Sequence, residues 1–167
     1  MPIISLSPKG SSHSLSRLEL TNSPGTYALV VLLEETTTIS IGKLGAQQFL
    51  PGYYIYLGSA LGPGGLRARV GRHRRQRASS KLHWHIDYLL RKSALIEIWW
   101  AVGDNRQECS WSEIISNTGL VFPVGFGSSD CDCDGHLVAL RTTSAFCEGR
   151  ERLKLEVGSL FQCEGTS

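Results

Sequence analysis

The alternation of hydrophobic and polar residues predicts several short strands. Both alternating faces of segment 25–33 are apolar, which is typical of a central strand covered on both sides. The β-branched, aromatic or apolar composition of four further segments predicts strands at 38–42, 53–57, 94–102 and 136–140. Because strands and helices do not alternate regularly, we expect an α+β domain. Its core would be a small, mostly antiparallel sheet flanked by helices.

Apolar residues at helical spacing predict three helices. Leu66 and Val70 lie one turn apart, directly after a glycine-rich turn (Gly58, Gly62, Gly64 and Gly65) that is expected to end the preceding strand. A second helix is predicted to begin at Lys81, and a third to cover residues 108–117. In the third helix, Glu108 shares one side with Trp111 and Ile115, whereas Glu113 falls on roughly the opposite side. Residues 43–52 are expected to form a connection.

The chain has the length of one domain. The serine-rich composition of residues 1–23 predicts a flexible arm or an accessory edge strand. We expect the main domain to cover residues 24–141, followed by a tail of unassigned structure at residues 142–167. The sequence has no apolar run of 18 residues and no signal-peptide pattern, so we expect no membrane partner. Five cysteines, an odd number, favour a reducing compartment and thus a cytoplasmic protein.

Positive charge is concentrated in one segment although the net charge is only +2. Residues 67–81 contain six arginines and Lys81 but no acidic residue, which is typical of a phosphate-binding surface. Arg69 and His73 lie close to the Leu66/Val70 side of the predicted helix, where a charged group is costly unless it is paired or functional. The outward residues are predicted to bind nucleic acid: Arg67, Arg72, Arg74, Arg75, Arg77 and Lys81.

An ordered set of motifs resembles the GIY-YIG nuclease signature. The set comprises Gly25-Thr26-Tyr27, Tyr56-Leu57-Gly58-Ser59, then Arg69 and His73 on the following helix. The fuller run, through residues 84–88 and 125–131, resembles a branch of that superfamily carried as a domain of unknown function. The resemblance covers about residues 25–140.

The resemblance implies hydrolysis of DNA phosphodiester bonds with one divalent cation, Mg²⁺ or another. It implies that Tyr27 or Tyr56 positions or deprotonates the attacking water, and that Arg69 stabilises charge on the phosphate. His73 matches a variable polar position, and His85 is expected to assist. The family's metal-binding glutamate lies on a later helix, where Glu108 and Glu113 are both candidates and the helical phase favours Glu108.

The spacing of the two tyrosines departs from the family pattern. The gap from Tyr27 to Tyr56 is much longer than the tight hairpin typical of the family. Residues 34–52 must therefore contain an extra strand or loop. The family's late asparagine also has no clear match.

Cysteines near the end of the predicted domain suggest a second metal site. Cys131, Cys133 and His136 lie close together in sequence, and Cys109 could complete a set of four zinc ligands. The alternative is a tight loop with packed cysteines, in which Asp130 caps a turn.

The sequence therefore predicts a metal-dependent DNA endonuclease, with RNA not excluded as a substrate. The alternative is a non-catalytic nucleic-acid-binding module with a basic helix and a structural zinc site. A weaker third hypothesis is a zinc-stabilised adaptor for a protein partner.

Overall fold

The computed structural model describes residues 19–166, which form eight strands and four α-helices. The strands are β1 (Gly25–Leu33), β2 (Thr37–Ile41), β3 (Gly45–Phe49), β4 (Gly52–Ala60), β5 (Ala94–Val102), β6 (Leu120–Val121), β7 (Leu137–Leu140) and β8 (Gln162–Gly165). The helices are α1 (Gly65–Gln76), α2 (His85–Leu90), α3 (Glu108–Ser116) and α4 (Thr143–Val157). The predicted helix starting at Lys81 therefore begins four residues later.

Six strands form one antiparallel sheet in the order β6-β7-β4-β1-β5-β8. The predicted α+β class is confirmed. β1 lies in the middle of the sheet, between β4 and β5, and almost all of its residues are buried. Its apolar character on both faces follows from this position, because helices cover each face of the sheet.

Alternate residues of β1 belong to two separate cores. Tyr27, Leu29 and Val31 pack on the face covered by α1, α2 and the hairpin of β2 and β3. Ala28 and Val30 pack on the opposite face, beneath α3 and α4.

The long segment between the two motif tyrosines contains a hairpin outside the main sheet. β2 pairs with β3 in antiparallel register, and Ile41 and Phe49 are buried in the first core. The prediction that residues 43–52 are only a connection was wrong, because β3 lies within them. The expectation of an extra strand between Tyr27 and Tyr56 is confirmed.

Gly58 lies inside β4, so the prediction that it ends the strand was wrong. It is paired with Tyr27 across the sheet, and the Tyr27 ring lies over its Cα. A Cβ on Gly58 would stand 2.5 Å from the Tyr27 hydroxyl oxygen. Glycine is therefore needed here for a close approach rather than for a turn.

The tail left unassigned by the sequence forms α4 and β8. The Thr142 hydroxyl accepts a hydrogen bond of 3.1 Å from the Ala145 N–H and so caps α4. β8 extends the sheet beside β5. None of the described helices is long and apolar enough to cross a membrane.

The predicted N-terminal arm falls mostly on residues 1–18, which lie outside the described residues. The following residues contact α1: the Thr21 and Ser23 carbonyls accept hydrogen bonds of 2.9 and 3.0 Å from the N–H groups of Arg67 and Leu66. These N–H groups lie in the first turn of α1 and have no partner within the helix. Leu20 is buried in the first core.

Candidate active-site cleft

An open cleft of about 390 Å³ lies at the end of β4, between α1, the start of α3 and a loop before β7. Five of the six predicted catalytic residues line it. The sixth, His73, does not line the cleft but is hydrogen-bonded to Tyr27, which does. The fold therefore brings together residues that are up to 81 positions apart in the chain. The five lining residues are Tyr27, Tyr56, Arg69, His85 and Glu108.

The pairing of β1 with β4 places the two motif tyrosines side by side. Tyr27 is opposite Gly58 and Leu29 is opposite Tyr56, so both tyrosines lie on the same face of the sheet. Their ring centroids are 6.5 Å apart. The hairpin inserted between the two strands leaves this arrangement intact.

Tyr27 and His73 form a buried, uncharged pair. The Tyr27 hydroxyl and His73 Nε2 share a hydrogen bond of 2.7 Å. Burial raises the pKa of Tyr27 well above its usual value, and burial, helped by the nearby Arg72, lowers the pKa of His73 to about 3. Within residues 19–166, His73 Nδ1 is buried without a hydrogen-bond partner. The pair is therefore neutral at neutral pH.

Tyr56 is also held in its protonated form. Burial raises the pKa of Tyr56 to about 12, although the positive charge of Arg69 acts in the opposite direction. Glu108 and Asp87 contribute to the rise. A hydroxyl that keeps its proton can donate a hydrogen bond to an anion or to water in the cleft.

Arg69 and Arg72 have different environments on α1. Arg72 Nη1 and Nη2 donate to the two carboxylate oxygens of Asp87 at 3.2 and 3.0 Å, and its guanidinium lies 3.5 Å from the Trp84 ring centroid. The prediction that Arg72 points outward was wrong, because it pairs with a fully buried carboxylate. Arg69 lines the cleft, and among the described residues it has no carboxylate partner.

Asp87 is ionised because of this pairing. Burial raises the pKa of its carboxyl group, but the hydrogen bonds from Arg72 and from the N–H groups of His83 and Trp84 outweigh burial and lower the pKa overall. Asp87 thereby joins α1 to the start of α2 and holds Trp84 beside the cleft.

The start of α3 presents Glu108 to the cleft. Glu108 is only 6% exposed, and the Ser59 hydroxyl donates a hydrogen bond to its Oε2. Arg106 Nη1 lies 4.0 Å from Oε1. Glu113 is exposed on another side of the helix and does not line the cleft, as the helical phase predicted. Of these two carboxylates, only Glu108 could bind a metal in the cleft.

His85 connects the start of α2 to the loop before β7. Its Nδ1 accepts a hydrogen bond of 3.0 Å from the Gly127 N–H, so a neutral ring carries its proton on Nε2. Burial lowers the pKa of His85 and favours this neutral form. Gly127 has a φ of 71° and lies against the Tyr56 ring, which explains a glycine at this position.

The other predicted nucleic-acid-binding residues lie outside the cleft. Arg67 donates to the Leu20 carbonyl and lies near Glu19, Arg74 pairs with Glu164 at 2.7 Å, and Arg77 donates to the Ser93 carbonyl. Arg75 and Lys81 are exposed. A nucleic-acid-binding role for these residues stays a prediction.

Cys109, Cys131, Cys133 and His136 come together as a cysteine–histidine cluster. Their four donor atoms all lie within 4.8 Å of one another. His136 Nε2 is 3.2 Å from Cys131 Sγ and 3.4 Å from Cys109 Sγ. Three thiols and an imidazole form a donor set that could hold a metal ion such as zinc. His136 also lines the cleft, and Cys109 follows Glu108 directly, so the cluster adjoins the cleft.

The sequence did not predict the contacts that three further residues make in the cleft. Ser59 and Trp84 lie within the motifs quoted above, but nothing in the sequence predicts their contacts with Glu108 and the α1 arginines. Arg106 precedes α3 and pairs with Asp130 at 3.0 Å. Only its position two residues before Glu108 could have suggested a place in the cleft.

The comparison with known families places the chain in a family of unknown function. A family model described as "Domain of unknown function DUF123" matches residues 26–157, which is most of the chain. The chain belongs to this family. The matched range runs from β1 to the end of α4, so the DUF123 domain includes the whole cleft and the cysteine–histidine cluster. Neither a curated protein nor a solved structure matches the chain. The resemblance to GIY-YIG nucleases stays a prediction.

Proposed function

We propose that this DUF123 domain is a GIY-YIG-type endonuclease that hydrolyses phosphodiester bonds in DNA with a divalent cation. One observation supports this most strongly: Arg69, without a carboxylate partner among the described residues, and the buried Glu108 line the same open cleft. A guanidinium binds the phosphate and a carboxylate binds the cation, which are the two partners that this hydrolysis needs.

The residues present fit a hard cation such as Mg²⁺. Glu108 would hold it, with water in the remaining positions, because Mg²⁺ is commonly bound through one or two carboxylates. The Ser59 hydroxyl fixes one carboxylate oxygen, and within residues 19–166 the other has only Arg106, at 4.0 Å, as a charged neighbour. When bound, the cation would polarise a phosphate oxygen and make water a better nucleophile.

The protein groups bind and orient the reactants. Arg69 donates hydrogen bonds to phosphate oxygens and stabilises the charge that develops on them. The Tyr56 hydroxyl, protonated at neutral pH, donates to the phosphate or holds the attacking water. The rings of Tyr27 and His73 pack against the Tyr56 ring and hold it in position. His85 would donate its Nε2 proton to the leaving oxygen, because its Nδ1 already accepts a hydrogen bond.

Exposed basic residues on and after α1 supply affinity without sequence preference. Arg75 and Lys81 are exposed, and the ion pairs of Arg67 and Arg74 are partly exposed and can exchange for phosphate contacts. Binding through such contacts weakens steeply as salt rises, because it releases condensed cations from the nucleic acid. Arg72 is excluded from this role by its pairing with Asp87.

The test is cleavage of branched, nicked and single-stranded DNA, and of RNA, in Mg²⁺ or Mn²⁺ and in chelator. Two pairs of variants separate the cleft from the surface: Glu108→Gln against Glu113→Gln, and Arg69→Ala against Arg75→Ala. Metal-dependent cleavage that is lost at least 100-fold in Glu108→Gln and Arg69→Ala but kept in their partners would support the nuclease. Equal activity of Glu108→Gln and wild type would contradict it.

A non-catalytic nucleic-acid-binding module is the second candidate, because burial keeps both cleft tyrosines protonated and the cysteine–histidine cluster suits a structural Zn²⁺. No cleavage of any substrate, with binding that falls steeply as salt rises, would favour this module. Bound zinc with no affinity for DNA or RNA would instead favour an adaptor for a protein partner.

A further inference from the structure

One wall of the cleft contains no apolar side chain that could hold it in place. Residues 128–134, here called the loop wall, consist of two serines, three aspartates and two cysteines. The three aspartates are exposed, while Ser129 and Asp130 line the cleft. Burial of apolar surface, the main stabilising contribution to a fold, is therefore minimal in this wall.

The polar contacts of the loop wall with the rest of the protein are also few. Among the described residues, its ion pair with the rest of the protein is Asp130 with Arg106, at 3.0 Å. Both side chains are largely exposed (63% and 59%), and ion pairs in water contribute little to stability. The hydrogen bond from the Cys131 N–H to the Ser128 carbonyl, 3.5 Å long, lies within the loop itself. The Gly125 N–H donates a hydrogen bond of 2.7 Å to the Asp134 carbonyl, but this contact fixes only the last residue of the loop wall. Apart from the cysteine–histidine cluster, few contacts therefore hold residues 128–133 in place.

The cysteine–histidine cluster joins the loop wall to two regular elements, α3 and β7. Cys131 and Cys133 come from the loop wall and Cys109 from α3, whereas His136 directly precedes β7. The backbone of His136 is fixed to the sheet, because its carbonyl accepts a hydrogen bond of 2.8 Å from the Leu57 N–H on β4. An ion held by all four side chains would connect the loop wall to the sheet and to the helix that carries Glu108.

The separations within the cluster suit a tetrahedral ion after a small expansion. The sulfur atoms lie 2.7 Å (Cys109 to Cys133), 3.2 Å (Cys131 to Cys133) and 3.5 Å (Cys109 to Cys131) apart. Zinc–sulfur bonds of about 2.3 Å would place neighbouring sulfurs about 3.8 Å apart in a tetrahedron. The donor atoms therefore converge on one point and would separate by about 1 Å or less to accept Zn²⁺.

We infer that the cluster binds one structural Zn²⁺ that fixes the loop wall and the start of α3, and thereby forms the Glu108 side of the cleft. Four protein ligands leave no open position for substrate, so this ion takes no part in hydrolysis. Its effect on cleavage rests on the proposed nuclease function, whereas zinc binding and the ordering of the loop wall do not.

The first experiment measures the metal. Purified wild-type protein is analysed for zinc by mass spectrometry, and Co²⁺ is then substituted and its absorption recorded. We expect one zinc per chain and the intense visible bands of tetrahedral Co²⁺ with thiolate ligands. Cys133→Ala should lose both signals, while Cys163→Ala, a substitution at an exposed cysteine on β8, should keep them. Wild-type protein that binds neither ion would overturn the inference.

The second experiment measures order by amide hydrogen exchange. In Cys133→Ala, and in wild-type protein stripped of zinc by a chelator, we expect residues 125–136 to exchange at least 10-fold faster, while β1 and β4 stay protected. The chelated wild type decides the matter if the variant does not fold. Unchanged exchange in residues 125–136 after zinc removal would overturn the structural role of the ion.

Cleavage assays in added Mg²⁺ separate this inference from the proposed function. Zinc-free protein should cut at least 10-fold more slowly and recover when Zn²⁺ is restored. If wild type cuts no substrate while zinc still protects residues 125–136, the nuclease proposal fails and the structural zinc stands. If wild type and Cys133→Ala cut equally well, the inference that the ion forms the Glu108 side of the cleft fails and the nuclease stands.

Discussion

The two sides of the cleft are stabilised in opposite ways. The tyrosine wall, formed by Tyr27, Tyr56 and His73, is buried between β1, β4 and α1 in the first core. The loop wall, residues 128–134, is largely exposed and contains no apolar side chain. Changes to the buried contacts of the tyrosine wall should therefore reduce the stability of the whole domain. Changes in the loop wall should alter local order and leave the domain folded.

The largest effect is expected from Gly58→Ala in the tyrosine wall. The added methyl group would stand 2.5 Å from the Tyr27 hydroxyl oxygen in the middle of the sheet. Either β4 or the Tyr27 ring would therefore have to move. We expect the free energy of unfolding to fall by about 3 kcal/mol. Urea denaturation measures the change. Gly62→Ala is the control, because in residues 19–166 no atom beyond its chain neighbours lies within 4 Å of the added methyl group. Equal destabilisation of both variants would contradict the prediction.

Removing one hydroxyl at a time should distinguish the two tyrosines. Tyr27→Phe leaves the buried His73 ring without its hydrogen bond, so we expect a loss of about 1–3 kcal/mol in stability. Within residues 19–166, the Tyr56 hydroxyl makes no hydrogen bond, and it faces the cleft. Tyr56→Phe should therefore change stability by less than about 0.5 kcal/mol but lower cleavage. A large stability loss in Tyr56→Phe would show that its role is structural.

The buried His73 should make the tyrosine wall sensitive to acid. The pKa of His73 is about 3 in the folded protein and 6.5 when exposed. Between these values the unfolded chain binds the proton and the folded protein does not, so stability falls as pH falls. We expect a loss of about 1 kcal/mol between pH 6 and pH 5, measured by urea denaturation. His73→Gln should have a flatter pH profile in this range, and identical slopes would contradict the prediction.

A small effect is expected from Asp130→Asn in the loop wall. The Asp130–Arg106 ion pair is largely exposed, so its loss should cost less than about 1 kcal/mol of stability. Thermal denaturation at low and high salt measures it, and the difference from wild type should shrink in high salt. A loss as large as that of Tyr27→Phe would show that the ion pair, rather than the cysteine–histidine cluster, holds this wall.

Much of the fold could be predicted from local patterns. The predictions for the apolar faces of β1, the extent of β5 at residues 94–102 and the buried side of α3 agree with the structure. They succeeded because buried positions repeat with the period of a strand or a helix, and apolar residues in the sequence follow the same period. The tail was unpredictable because α4 has only three buried residues (Phe146, Gly149 and Leu153) and thus a weak pattern. β3 was missed because only Phe49, at its end, is buried.

The candidate site was predicted best where side chains lie on one element. Helical phase separated Glu108 from Glu113, and the order of motifs along the chain selected Tyr27, Tyr56 and Arg69. Phase alone failed for Arg72, because its partner Asp87 lies 15 residues away on a different helix. The contact of Ser59 with Glu108 spans 49 residues and likewise has no local signal.

The sequence by itself determined which residue types were available and which side of each element would be buried, because these properties depend on neighbours within one or two turns. Only the tertiary structure decided that Tyr27 lies against Gly58 and that Arg72 is neutralised by Asp87. It also decided that Cys109 meets Cys131, Cys133 and His136. Each of these contacts joins separate elements, and their positions are set by the packing of the whole sheet rather than by local periodicity.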